Sequence, residues 1–150
     1  LRVVLARRRR LPAGHRLAAT AREHSTLLMT LAGQPEGGRA PLRDAGVEIV
    51  ELPGAGRVED ALAALAARGI TRVLAEGGAE LAAALLRAGC VDQLYWFRAA
   101  SLLGAEGLPG VADLGIESLD GIKRFRRLSV APLGADLLER YLLATGAPAH

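Results

Sequence analysis

The chain has 150 residues, of which 51% are hydrophobic, 23% charged and 3% aromatic, and its formal net charge is +3. A chain of this length fits one domain with a core of its own, and no apolar run approaches the roughly 20 residues that span a bilayer. So few aromatic rings exclude the stacking platforms on which single-stranded nucleic-acid binding relies, and leave Leu, Val, Ile and Ala to build the core.

Of the 19 basic residues all but Lys123 are arginine. With the abundant Ala, Gly and Leu, this reads as codon bias rather than functional demand. The single cysteine, Cys90, can form no internal disulfide, which suits a reducing cytosol and a cytoplasmic protein. The chain opens on Leu1 and runs directly into "RVVLA", without the separate charged and apolar regions of a signal peptide. The expectation is a cut inside a longer protein.

In chain order, "RVVLA" (2–6) and "STLLMT" (25–30) read as buried strands, and "AGQPEGGRA" (32–40) as an exposed turn. "VEIVELP" (47–53) alternates like a strand. "RVEDALAALAARG" (57–69) spaces Val58, Leu62, Leu65 and Ala66 as one helix face and stops on Gly69. A strand over 71–75, a helix over 78–88 closed by Gly89 and a strand over 91–99 follow. This β-α-β-α-β order predicts a parallel sheet with right-handed crossovers. The tail departs from it, because "KRFRRLSVAPLG" and "ADLLERYLLA" read as an antiparallel hairpin turning at "PLGA". The expected fold is α/β: a mixed sheet with a parallel centre and a C-terminal antiparallel hairpin, helices on both faces, and residues 1–150 forming one domain. No internal repeat is visible.

The chemistry concentrates at Glu76-Gly77-Gly78, where an apolar run meets a helix. Open α/β sheets bind ligands beyond the carboxyl ends of their strands. A helix start there offers unpaired N–H groups and partial positive charge, which suit phosphate, and glycine lets a ligand approach the backbone. The same residues equally make an ordinary tight turn in which Glu76 satisfies the helix dipole. The pattern is neither a Walker loop nor a Rossmann fingerprint, so residue chemistry leaves both readings open.

"VLAEGGAELAAALLRAGCVDQLYWFRAASLLGAEG" closely resembles the reductase domain of the bacterial riboflavin-biosynthesis deaminase/reductase, which has the dihydrofolate-reductase-like fold. The opening "LRVVLARRRRLPAGHRL" is similar to that family's strand and basic loop, and "KRFRRLSVAPLGADLLERYL" to its last two strands. The resemblance covers nearly all 150 residues. It implies NADPH-dependent reduction of 5-amino-6-(5-phosphoribosylamino)uracil to the ribitylamino compound, with the cofactor supplying hydride and the protein supplying orientation. It assigns Glu76 to the substrate, and Gly77, Gly78, Ala79, Glu80, Leu81, Ala82, Ala83 and Ala84 to the cofactor. Glu80 is the awkward member, since a carboxylate repels phosphate, and its side chain is expected to point away. The family also implies a homodimer, and the "EGG" glutamate favours its substrate over that of the related folate enzymes.

Two departures stand out. The family carries Asp-Ser or Asp-Thr after the first matched strand, where this chain has Ala6 and Arg7. Arg7 can pair with the cofactor 2′-phosphate through its planar fork, although a run such as Arg7–Arg10 more commonly forms a solvated face. The run carries no interleaved aromatics or binding motif, which argues against a nucleic-acid patch. The family's domain also begins well before the strand matched by residues 2–6, so the expected domain is N-terminally incomplete. No H-x-E or C-x-x-C pattern occurs, which excludes deaminase chemistry for this chain. Another reductase of the same fold, or a non-catalytic assembly module, remains an alternative.

Elsewhere, His15, His24 and His150 are scattered, so no metal site is assigned, and Ser101 and Ser118 have no triad partners. No catalytic acid or base is assigned. Cys90 reads as a small buried apolar residue. Tyr95 and Trp96 read as core or subunit contact, and Asp92 as a structural turn residue. The glycine-rich "SLLGAEGLPGVADLG" (101–115) reads as an exposed loop or a lid, with Gly104 on the cofactor side.

Overall fold

The computed structural model describes residues 1–6, 11–33, 38–104 and 106–144. The chain divides after Val73 into two compact units.

The first unit is built on three parallel strands, β1 (Arg2–Ala6), β2 (Thr26–Leu31) and β3 (Glu48–Leu52), in the order β1-β2-β3. Parallel neighbours cannot be joined by a tight turn, so each connection crosses a face of the sheet. The short α1 (Arg16–Ala19) and α2 (Ala40–Asp44) make the two crossovers, and α3 (Val58–Ala66) follows β3. Alternation along β2 then separates two cores. Leu28 packs with Ala18, Ala21, Leu42 and Val47 on one face. Leu27 and Met29 pack with Leu52, Ala61 and Leu65 on the other. Helices cover both faces, as expected, and Thr26 to Thr30 are all buried.

Arginines fasten the connections. The Arg2 guanidinium donates to the carbonyls of Leu17 (3.2 Å), Thr20 (3.0 Å) and His24 (2.8 Å) and to the hydroxyl of Thr26 (2.7 Å). It thereby fixes the turn after α1 onto the strands. The buried Arg39, at the start of α2, pairs with Glu51 of β3.

The second unit contains α4 (Ala79–Arg87) and three antiparallel strands, β4 (Gln93–Arg98), β5 (Phe125–Leu133) and β6 (Asp136–Leu143), in the order β4-β6-β5. β5 and β6 form the expected hairpin, turning at Gly134-Ala135 with a register shift between Arg127 and Ser129. Glu139 of the central strand is buried and faces Arg98, Nε to Oε2 3.6 Å. On the opposite face Arg140 lies over the Tyr95 ring, 5.3 Å from its centre.

Both expected glycine stops close their helices in the same way. Ile70 N–H donates to Leu65 O (3.1 Å) and Gly69 N–H to Ala66 O (2.9 Å). Cys90 N–H donates to Leu85 O (3.0 Å) and Gly89 N–H to Leu86 O (3.2 Å). These are paired Schellman bonds, which require the left-handed backbone that Gly69 (φ 78°) and Gly89 (φ 68°) adopt.

Three expectations are corrected. Residues 71–75 form no strand: Thr71 to Gly78 are exposed and irregular, and no described strand pairs with them. Their apolar run has strand character, but a strand exists only where a neighbour supplies the ladder. The parallel and antiparallel ladders accordingly occur as two three-stranded sheets. Cys90 is exposed rather than buried, because its N–H completes the helix stop while its thiol turns back toward Ala88 O, 3.5 Å away.

At the start of α3 the chain closes its own helix end: the Asp60 carboxylate accepts from Arg57 N–H (3.0 Å), and Glu59 pairs with the Arg57 guanidinium. The hydrogen bond from Arg57 is the main reason the Glu59 carboxyl titrates below the ordinary carboxylate range. Its lowered value means that the pair's contribution is present at neutral pH and fades as pH falls from the ordinary range through the folded value. Arg57→Ala removes that cause, so an NMR titration of Glu59 is expected to move up toward ordinary glutamate. In the core, Met29→Ala is expected to cost about 2–5 kcal/mol in denaturant unfolding. Leu119→Ala, at an exposed site, is expected to stay within about 0.5 kcal/mol of wild type.

Candidate functional site

The start of α4 contrasts with that of α3. Gly78 is its N-cap, with extended backbone (φ −73°, ψ −177°), and no side chain caps it. The Gly78 carbonyl accepts from Leu81 N–H (3.0 Å) and Ala82 N–H (3.1 Å). The N–H groups of Gly78, Ala79 and Glu80 therefore lie ahead of the intrahelical ladder, where a helix end can receive an anion.

The two glycines have different physical reasons. A Cβ on Gly77 would stand 2.5 Å from Leu81 Cδ2 and 3.0 Å from Leu81 Cβ, so any other residue there obliges the Leu81 side chain to shift. A Cβ on Gly78 would meet nothing within 4 Å, and its φ suits any residue. Neither backbone conformation nor packing requires glycine at 78. What the missing side chain leaves is open space directly in front of the free donors.

The sequence-derived residues form one continuous stretch. Glu76, Gly77, Gly78 and Glu80 are exposed, Ala79, Leu81, Ala82 and Ala84 are half-buried, and Ala83 is buried. Ala83 and Ala84 lie beyond the first turn, with their amides inside the helix ladder, and Ala83 is fully buried, which corrects its assignment to the cofactor; of the two only Ala84 keeps surface that can line a ligand. Arg7 lies outside the described residues. Gly104 sits in a turn closed by Gly107 N–H donating to its carbonyl (3.0 Å).

The loop residue bonded to the first turn of α4 is Ala112, whose N–H donates to Ala79 O (3.1 Å). The next residue, Asp113, gives its carbonyl to the Arg87 guanidinium and its Oδ1 to Gly115 N–H (2.8 Å). Both residues lie in the 101–115 stretch that the sequence reads as an exposed loop or a lid, but their bonds to α4 carry no such signal. The only local signal was the Asp-x-Gly spacing of Asp113 and Gly115, typical of a side-chain-closed turn.

Other features carry less. A surface depression lined by Leu1, Arg2, Glu23, His24 and Ser25 lies at the amino ends of β1 and β2, the edge at which parallel sheets do not bind ligands. No group of three potential metal-ligating side chains occurs among the described residues, and none of the described helices is long and apolar enough to cross a membrane. Tyr95, Trp96 and Phe97 are 44%, 37% and 68% exposed, so they do not form a core of this chain.

The model of the RibD C-terminal domain family matches residues 1–138. A Bacillus amyloliquefaciens protein described as riboflavin biosynthesis protein RibD is 26% identical over 114 residues, 75% of this chain and 31% of that protein. The structure of Acinetobacter baumannii RibD superposes with a TM-score of 0.75 at 28% identity, covering 95% of this chain and 37% of the other. A pyrimidine reductase-like protein from Corynebacterium diphtheriae gives a TM-score of 0.80 at 21% identity, covering 96% and 61%, and speaks to the fold alone. This chain thus spans about a third of the RibD proteins it matches. Its fold is the dihydrofolate-reductase-like one expected from the sequence, and the chain belongs to the RibD C-terminal domain family.

Proposed function

We propose that the chain is the nucleotide-holding reductase portion of a riboflavin-biosynthesis enzyme, a cytoplasmic protein that reduces 5-amino-6-(5-phosphoribosylamino)uracil with NADPH. The observation that carries this reading is the open, uncapped start of α4 behind Gly78. Family membership supports it, and because one family model spans both units, they are read as parts of one domain. The amides of Gly78, Ala79 and Glu80 hold the cofactor diphosphate, with Gly77, Leu81, Ala82 and Ala84 lining it. Gly104 completes the cofactor side, while Arg7, the sequence's candidate for the 2′-phosphate that distinguishes NADPH from NADH, lies outside the described residues. Glu76, exposed just ahead of this turn, takes the ribosyl hydroxyls of the substrate. When bound, NADPH supplies the hydride that converts the ribosyl carbon to the ribityl level.

The exposed aromatic residues of β4 support a homodimer through the β4–β6–β5 sheet. Sedimentation in reducing buffer is expected to show a dimer that Phe97→Glu converts to monomer; a wild-type monomer at all concentrations would remove this part of the reading.

Titration of the chain with NADPH and NADH at low salt tests the seat. NADPH is expected to bind more tightly than NADH, and Gly78→Val to abolish binding with only the small loss of melting temperature that a poorer N-cap residue brings, because a Cβ there meets nothing in the fold. Unaltered binding by Gly78→Val would sink the assignment. Glu80→Gln removes a negative charge from the first turn, and is expected to tighten NADPH binding by about two- to fivefold at low salt.

A further inference from the structure

Between Arg98 and Phe125 the described residues form neither α-helix nor strand, and most are exposed, Leu102 and Leu108 almost completely. Val111, Ala112 and Leu114 are half-buried. This half of the loop is fastened at three successive points. A Cβ on Gly110 would stand 2.9 Å from Cη2 of Trp96, so glycine lets the chain pass close over the β4 indole. Ala112 N–H donates to Ala79 O at 3.1 Å. The Asp113 carbonyl accepts from Arg87, and its carboxylate closes the turn onto Gly115 N–H at 2.8 Å.

Ala79 and Arg87 are the first and last residues of α4, two turns apart and separated by about 12 Å of helix rise. Ala112 and Asp113 are adjacent in the chain. Both bonds form because helix side chains lean toward the N-terminus, so the long Arg87 side chain reaches back along α4 to meet the strap near the helix start. A solvated arginine in a last turn needs no such partner to complement the helix dipole. Here its donor is spent on one backbone carbonyl of a loop that otherwise has little to hold it.

We infer that Arg87 is a positioning residue for the dinucleotide seat, acting through the Gly110–Gly115 strap. The inference rests on the reading of the α4 start given above. With Asp113 held, Ala112 stays on Ala79 and a wall stands beside the first turn of α4 before any ligand arrives, while the approach over Gly78 stays open. A loop already ordered does not charge its ordering entropy to the binding step.

The test compares NADPH affinity, melting temperature and amide hydrogen exchange at Ala112 in the wild-type chain, Arg87→Ala, Arg87→Lys and Gly78→Val. Arg87→Ala is expected to weaken NADPH binding about tenfold, the scale of one lost hydrogen bond to a charged group. Its Ala112 amide is expected to exchange faster even without nucleotide, with a near wild-type melting temperature because Arg87 is exposed. Lysine keeps the reach and a donor, so Arg87→Lys is expected to recover most of the affinity and the protection. If Arg87→Ala binds NADPH like wild type while Gly78→Val does not, the seat stands and the strap inference is overturned. A lowered melting temperature with unchanged affinity overturns it equally, by reducing Arg87 to a helix-end stabiliser. If the wild-type chain binds no NADPH, the seat and the role of Arg87 fall together.

Discussion

A parallel strand with partners on both sides can be reached only by crossing the sheet, and β2 is such a strand. That constraint organises the first unit: the crossovers carry α1 and α2 onto one face, and α3 covers the other. With both faces covered, β2 reads as the near-continuous apolar run that such strands require. The same requirement explains why Arg2 makes so many bonds to carbonyls of the α1 connection. A helix of four residues has almost no stability of its own, and the guanidinium supplies from the side what the helix ladder cannot.

The helix starts follow a different rule, and its consequences reach the candidate site. Each helix start leaves amide donors without partners, and the chain resolves this differently at α3 and α4. At α3 the Asp60 carboxylate takes up one donor and the nearby Glu59 adds further negative charge, which leaves that end unattractive to an anion. At α4 a glycine takes the capping position, so nothing internal competes for the donors. In the proposed reading, ligand recognition depends as much on what the sequence withholds at Gly78 as on what it provides at Glu76.

Much of this was legible from residues alone, for a physical reason. β1 to β6, α3 and α4 are long enough to leave a periodic pattern, and Gly69 and Gly89 mark their ends with a conformation few other residues adopt. The helices α1 and α2, of four and five residues, are too short to leave a period. Residues 71–75 were misjudged because apolar, β-branched character records a preference and says nothing of a partner. The turn at 76–78 was visible because glycine pairs are conspicuous. Its neighbour Ala112 was not, since a backbone donor meeting a backbone acceptor from a distant segment has no side-chain signature. Cys90 was misread through composition, which gives the usual burial of a residue type but not the demands of a helix stop.

The exposed Cys90 has a practical meaning for any study of assembly. It is the only thiol in the chain and sits at a helix end in open solvent. In air, two chains can join sulfur to sulfur and run as a covalent pair that has nothing to do with the β4–β6–β5 sheet. The same thiol, kept reduced and then capped with a single dye, places one reporter three positions from Arg87, at the far end of the helix whose other end faces the candidate ligand.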